Sequence, residues 1–126
     1  MTSSMTSEIK TILIVDDSRL ARVKITKVLT ENGYTVYQAD NARHGLELLD
    51  THNPDLILLD LLMPDMDGFE FLSILHDNKN SVPVIVLTAD IQECSRKRCL
   101  DLGACDFLNK PPDSGLLLST VKRTIG

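Results

Sequence analysis

The sequence predicts a doubly wound α/β domain, a five-stranded parallel sheet with helices on both faces. Three observations carry that expectation. Strand-like apolar runs and helically spaced stretches alternate five times along 126 residues, the pattern of a sheet built from strand–helix units. The first, third and fourth runs are apolar throughout, as strands buried on both faces must be. Those same runs stop abruptly at polar side chains, namely Asp16-Asp17, Asp60 and Thr88.

Each element has its own signal. Lys10–Asp16 (KTILIVD) is a buried-strand run, and Asp17 and Ser18 are turn or cap residues. Ala21, Ile25, Val28 and Leu29 then recur at helical spacing, with Gly33 as the stop. Thr35–Ala39 alternates like a short strand. Asn41 can cap a second helix carrying Ala42, Leu46 and Leu49, which Asn53-Pro54 breaks. Asp55–Leu59 reads as the third strand. A third helix follows Gly68, with Phe69, Leu72 and Leu75 as its apolar positions. Val82–Thr88 is the fourth strand, residues 90–102 the fourth helix, and Gly103 its stop. Cys105–Asn109 is a short fifth strand. Ser114–Ile125 is a fifth helix with Leu117, Val121 and Ile125 on one stripe.

The totals fit one domain. The chain is 43% hydrophobic and 25% charged, enough apolar material for a single core. Eighteen acids against 13 bases give a net charge of −5, so no general attraction to nucleic acid or an anionic membrane is expected. No apolar stretch approaches the roughly 18 residues of a membrane-crossing helix. The opening MTSSMTSEIK lacks the apolar centre of a signal peptide. Residues 1–8 are expected to form a flexible tail, residues 9–126 the folded domain, and the protein is expected to be cytoplasmic. Cys94, Cys99 and Cys105 form no CxxC pair, so buried thiols are expected rather than a disulfide framework or a zinc site. His44, His52 and His76 show no metal-ligand spacing.

Ligands of doubly wound sheets sit beyond the carboxyl ends of the strands. A parallel sheet would gather Asp16, Asp17, Asp60 and Thr88 at one edge, with Lys110 arriving from the fifth strand. Three carboxylates in one pocket repel each other unless a cation intervenes. Hard oxygen donors in small number suit Mg²⁺, which usually takes one or two carboxylates plus phosphate oxygens. With Lys110, the ion would balance the three acids. A phosphoryl group could then bridge metal, lysine and the Thr88 hydroxyl. Carboxylates can form acyl-phosphates, and Asp60, alone at its strand end before Met63-Pro64, is the best nucleophile candidate.

The motifs VDDS (15–18), LLDLLMPDMDG (58–68), LTA (87–89), GACDF (103–107) and NKPP (109–112) stand in the order and spacing of one family. On them the chain resembles a receiver domain of two-component response regulators, chemotaxis-type and single-domain-like. The resemblance implies a flavodoxin-like (βα)5 sandwich with strand order 2-1-3-4-5. It implies that Asp60 accepts a phosphoryl group from a histidine kinase or a phosphotransfer protein. It also implies Mg²⁺, or Mn²⁺ as a substitute, held by Asp16, Asp17, Asp60 and the backbone carbonyl of Leu62. Asp17 and Asp60 would be direct ligands and Asp16 would act through water. Thr88 and Lys110 would bind phosphoryl oxygens, and Thr88 with Phe107 would form the switch. Leu62 and Asp90 occupy positions that tune loss of the phosphoryl group. Leucine cannot orient a water, so slow loss is expected, whereas Asp90 could position one. Partners would be the kinase, a downstream protein or fused output domain, and a phosphatase, with no direct nucleic-acid contact and no membrane insertion. Phe107 lacks the hydroxyl of the tyrosine frequent in chemotaxis receivers. Pro112 replaces a more usual bulky apolar residue, while Pro111 follows a family pattern that often has a cis Lys–Pro bond.

Other readings compete. Asp16, Asp17 or Ser18 could merely cap the first helix. Asp65 and Asp67 more plausibly shape the loop before Gly68, which could relieve backbone crowding. Arg96, Lys97 and Arg98 read as a solvated face, or as a partner surface. The domain could act alone or be cut from a longer regulator with a DNA-binding or enzymatic output. A magnesium-dependent aspartyl phosphohydrolase is the remote alternative, since such enzymes want DxD after the first strand. No enzymatic activity is expected beyond self-catalysed phosphotransfer and dephosphorylation.

Overall fold

The computed structural model describes residues 9–61, 66, 68–89 and 93–126, of which 93–96 by backbone alone. The elements are β1 (Thr11–Val15), α1 (Arg19–Glu31), β2 (Thr35–Ala39), α2 (Ala42–His52), β3 (Leu56–Asp60), α3 (Gly68–Asp77), β4 (Val84–Thr88), α4 (Glu93–Asp101), β5 (Asp106–Asn109) and α5 (Ser114–Ile125). All strand pairs are parallel, in the order β2-β1-β3-β4-β5. Expectations placed on residues 1–8, Leu62, Met63, Pro64, Asp65, Asp67 and Asp90, and on the side chains of Cys94 and Arg96, lie outside the described residues.

Period-two alternation divides the sheet between two cores. One face carries Leu13, Val15, Ile57, Leu59, Val84 and Val86 against α2, α3 and α4. The other carries Ile12, Ile14, Leu56, Leu58, Ile85 and Leu87 against Ile25 and Leu29 of α1 and Leu117 and Val121 of α5. The central strands β3 and β4 are buried along their whole length. At about 25 cal/mol per Å² of apolar surface, this two-sided burial is the main force holding the sheet. Among the described residues, no helix is long and apolar enough to cross a membrane.

The helix boundaries follow cap chemistry. Ser18 caps α1, its hydroxyl accepting from Ala21 N–H at 3.2 Å, and Asn41 caps α2 by accepting from His44 N–H at 2.8 Å. Asn53 ends α2 in the left-handed region at φ 46°, a conformation asparagine tolerates. The strand ends shift by a residue or two from the sequence expectation. β3 runs through Asp60, because ladder pairing with Leu87 continues past the apolar run. β4 starts at Val84: Pro83 has no N–H to give, although its carbonyl accepts from Ile57 at 3.0 Å. In α3, Phe71 with Leu72 and Leu75 fills the core, and Phe69 is only half-buried. Cys99 is buried, but Cys105 is exposed, contrary to the expectation of buried thiols.

Candidate phosphoryl-acceptor site

Parallel strands bring their carboxyl ends to one edge, and the polar residues that close β1, β3 and β4 meet there. Asp16 is fully buried, Asp60 is 4% exposed and Thr88 3%. Asp17 follows on the surface. One carboxylate oxygen from each of Asp16, Asp17 and Asp60 lies within 4.8 Å of the others. Lys110, just past β5, reaches back into the cluster. Its Nζ donates to Asp16 Oδ1 at 2.9 Å and to Asp60 Oδ2 at 3.3 Å, and Asp16 Oδ2 is 2.7 Å away. The bond between Lys110 and Pro111 is cis.

Capping no longer explains the acids. Ser18 caps α1, so Asp17 is left for another role. The Asp16 carboxylate tightens the same turn, accepting from Ser18 N–H at 2.8 Å.

The electrostatics follow from this packing. Burial opposes the Lys110 ammonium, yet its hydrogen bond to Asp16 and the charge of Asp60 outweigh that penalty and raise its pKa. Three carboxylates against one ammonium leave two negative charges. Asp16 Oδ2 is buried without a directed hydrogen bond. Carboxylate oxygens from three acids, two of them buried, with only Lys110 opposing their charge, fit a small divalent cation.

Thr88 and Phe107 sit together on the sheet. Thr88 pairs with Asn109, and Val86 with Phe107. Alternation puts Thr88 and Phe107 on the face covered by α2, α3 and α4, where the half-buried Phe107 ring packs. By the same alternation Asp16 and Asp60 belong to the α1 and α5 face, so the pocket spans both layers.

Sequence reasoning missed Arg22, which resembles any solvated helix charge. Its Nη1 donates to the Asp16 carbonyl at 2.7 Å and its Nε to Gln38 Oε1 at 3.3 Å. A position one turn into α1, six residues after the first acid, was the only available signal. Arg98 is exposed, as a solvated face would be, and its guanidinium carbon also lies 4.0 Å from the centre of the Phe69 ring, joining α4 to α3.

The carboxyl edge of the parallel sheet thus gathers an acidic cluster and a lysine, a site suited to a cation beside an anionic group. The profile of the response regulator receiver domain matches residues 12–122, and the chain belongs to that family. It is 35% identical to protein PilH of Pseudomonas aeruginosa, covering 90% of this chain and 96% of that one. It is 40% identical to response regulator MprA of Mycolicibacterium vanbaalenii, over 79% of this chain but 43% of that protein. The chain thus spans less than half the length of several curated relatives it matches. A crystal structure of a CheY-like receiver domain protein from Methanospirillum hungatei superposes with a TM-score of 0.88 at 30% identity, covering 93% of this chain and 94% of the other.

Proposed function

We propose that Asp60 is the phosphoacceptor of this receiver domain, taking a phosphoryl group from the phosphohistidine of a sensor kinase or phosphotransfer protein. The observation that carries this reading is the convergence of Asp16, Asp17 and Asp60 within 4.8 Å, with Lys110 bonded to two of them. In the transfer, the phosphorus–nitrogen bond to imidazole breaks as a phosphorus–oxygen bond to the Asp60 carboxylate forms. Such chemistry needs positioning and charge neutralisation more than it needs an acid or base. Asp16, Asp17 and Asp60, with the Leu62 carbonyl, would hold Mg²⁺ or Mn²⁺. The ion, when bound, neutralises charge on the phosphoryl oxygens. Lys110 would move its donors from Asp60 to a phosphoryl oxygen, and the Thr88 hydroxyl would bond another.

The added group carries about −2 charge. Thr88 drawn toward it would open space on its own face of the sheet for Phe107, and the surface of α4, β5 and α5 would follow. Beryllofluoride, an acyl-phosphate mimic, should change the affinity for a downstream protein; equal affinities with the mimic bound would defeat the switch. Leu62→Asn should shorten the phosphorylated lifetime by giving water a hydrogen-bonding guide, with Asp90 as the other tuning position.

The phosphodonor's approach has physical support. A groove between α1 and α5 is lined by Ala21, Ile25, Val28, Pro111, Pro112 and Leu117. Pro111 directly follows Lys110 in the chain, which puts the groove next to the cluster. The near-equal length of PilH favours output through the domain's own surface. MprA's greater length favours a fused output segment, and the encoding reading frame separates the two.

Incubation with a panel of phosphorylated kinases tests the proposal. Intact mass should rise by one phosphoryl group in the wild-type chain and not in Asp60→Asn. Phosphate found on another residue overturns the assignment. Multiple turnover on phosphate esters would instead support an aspartyl phosphohydrolase.

A further inference from the structure

The two acids that follow β1 are held to different degrees. Asp16 is anchored on every side: its N–H donates to Ala39 O at 3.0 Å, and its carboxylate accepts from Ser18 N–H and Lys110. Asp17 is exposed, yet its carboxylate must point back toward Asp16 and Asp60 to complete the cluster. Its direction depends on the peptide that joins it to Asp16. A peptide unit is planar, so holding the Asp16 carbonyl oxygen fixes the plane from which Asp17 departs.

Arg22 holds that oxygen. The Nη1 contact at 2.7 Å is a short, charge-assisted hydrogen bond. The guanidinium is itself braced by Gln38 through Nε at 3.3 Å, which ties it to β2, the neighbour of β1. Arg22 N–H also donates to Ser18 O at 3.0 Å, so backbone and side chain of one residue clasp the turn that carries both acids.

Resting on the metal reading above, we infer that Arg22 is a positioning residue for the metal-binding acids, acting through the Asp16–Asp17 peptide and braced by Gln38. It touches neither phosphoryl group nor ion. Groups that orient metal-binding carboxylates commonly change metal affinity by about tenfold or more when removed.

Charge and position act in opposite directions here, which makes the inference testable. Removing a cation near an acidic pocket, taken alone, tightens the binding of a divalent ion. Losing the peptide's anchor weakens it. The experiment titrates the full, unphosphorylated chain with Mn²⁺ alone and reads free ion by electron paramagnetic resonance. Arg22→Met should bind about tenfold more weakly. Arg22→Lys, which keeps charge and one donor group, should recover part of that loss. Gln38→Leu leaves net charge unchanged and should weaken binding about threefold, as a lost brace rather than a lost anchor. Thermal unfolding in chelator reports folding independently of metal.

A merely structural Arg22 would lower the unfolding temperature in chelator and leave the Mn²⁺ dissociation constant where it was. That result, or tighter binding by Arg22→Met, overturns the inference while leaving the site reading intact. Failure of the wild-type chain to bind Mn²⁺ overturns both. Should Arg22→Met not fold, Gln38→Leu decides alone.

Discussion

Gly68 stands directly against Leu61. Its N–H donates to Leu61 O at 2.8 Å, and a Cβ built on it would lie 2.6 Å from Leu61 Cα and 3.1 Å from Asp60 O. Residues seven apart in sequence therefore pinch the backbone immediately after the proposed phosphoacceptor. Gly68→Ala should cost about 2–4 kcal/mol, because the nearest obstructing atom, Leu61 Cα, is backbone and cannot rotate away. Urea unfolding would measure it, and a loss under 1 kcal/mol would mean that the loop yields easily.

Lys110→Met should leave Asp16 and Asp60 facing each other without their ammonium. At pH 7 and without divalent ions, the variant should be about 2 kcal/mol less stable than wild type. The pKa of Lys110 is raised in the folded protein above its ordinary 10.5. Its contribution is therefore complete below pH 10.5 and lost as pH rises through the higher folded value. On the alkaline side the two stability curves should converge only in that range. Convergence already at pH 8 would contradict the geometry.

The Arg98 guanidinium over the Phe69 ring should be worth about 0.5–1 kcal/mol, the usual scale for an exposed cation–π pair. A double-mutant cycle of Arg98→Gln and Phe69→Leu isolates that energy from simple packing. A coupling indistinguishable from zero would leave the Arg98–Phe69 contact without energetic weight.

Cys99 and Cys105 should differ in reactivity. Burial pushes the Cys99 thiol up to about 11, against the pull of the Arg98 guanidinium, and thiolate is the reactive species. Burial and Asp106 also push the Cys105 thiol up, but its exposure admits the reagent, so at pH 8 iodoacetamide should modify Cys105 well before the buried Cys99, as peptide mass spectrometry would show. The raised pKa also means that Cys99 supports folding fully below its ordinary 9.0 and withdraws that support as pH rises through about 11.

Most of the fold was legible in sequence because buried parallel strands write themselves as uninterrupted apolar runs. Asp16, Asp60, Thr88 and Lys110 were legible for a related reason: each breaks the pattern where sheet meets solvent. What stayed hidden depends on tertiary rotation. FEF at 69–71 offers two phenylalanines, and local spacing does not say which faces the core. In the folded chain Gly68 lies against Leu61 and Phe71 takes the core position. Arg22 was invisible because both its partners, a carbonyl six residues back and a side chain on β2, exist only after folding. Cys105 precedes β5, an edge strand, so burial expected from cysteine's habits does not reach it.

The pocket straddles the sheet, yet arrivals and announcements keep one helix in common. Asp16 and Asp60 belong to one layer, Thr88 and Phe107 to the opposite one, and adjoining strands are their shared wall. A donor docking over α1 and α5 and a listener reading α4, β5 and α5 would share α5, so one would have to leave before the other could settle fully.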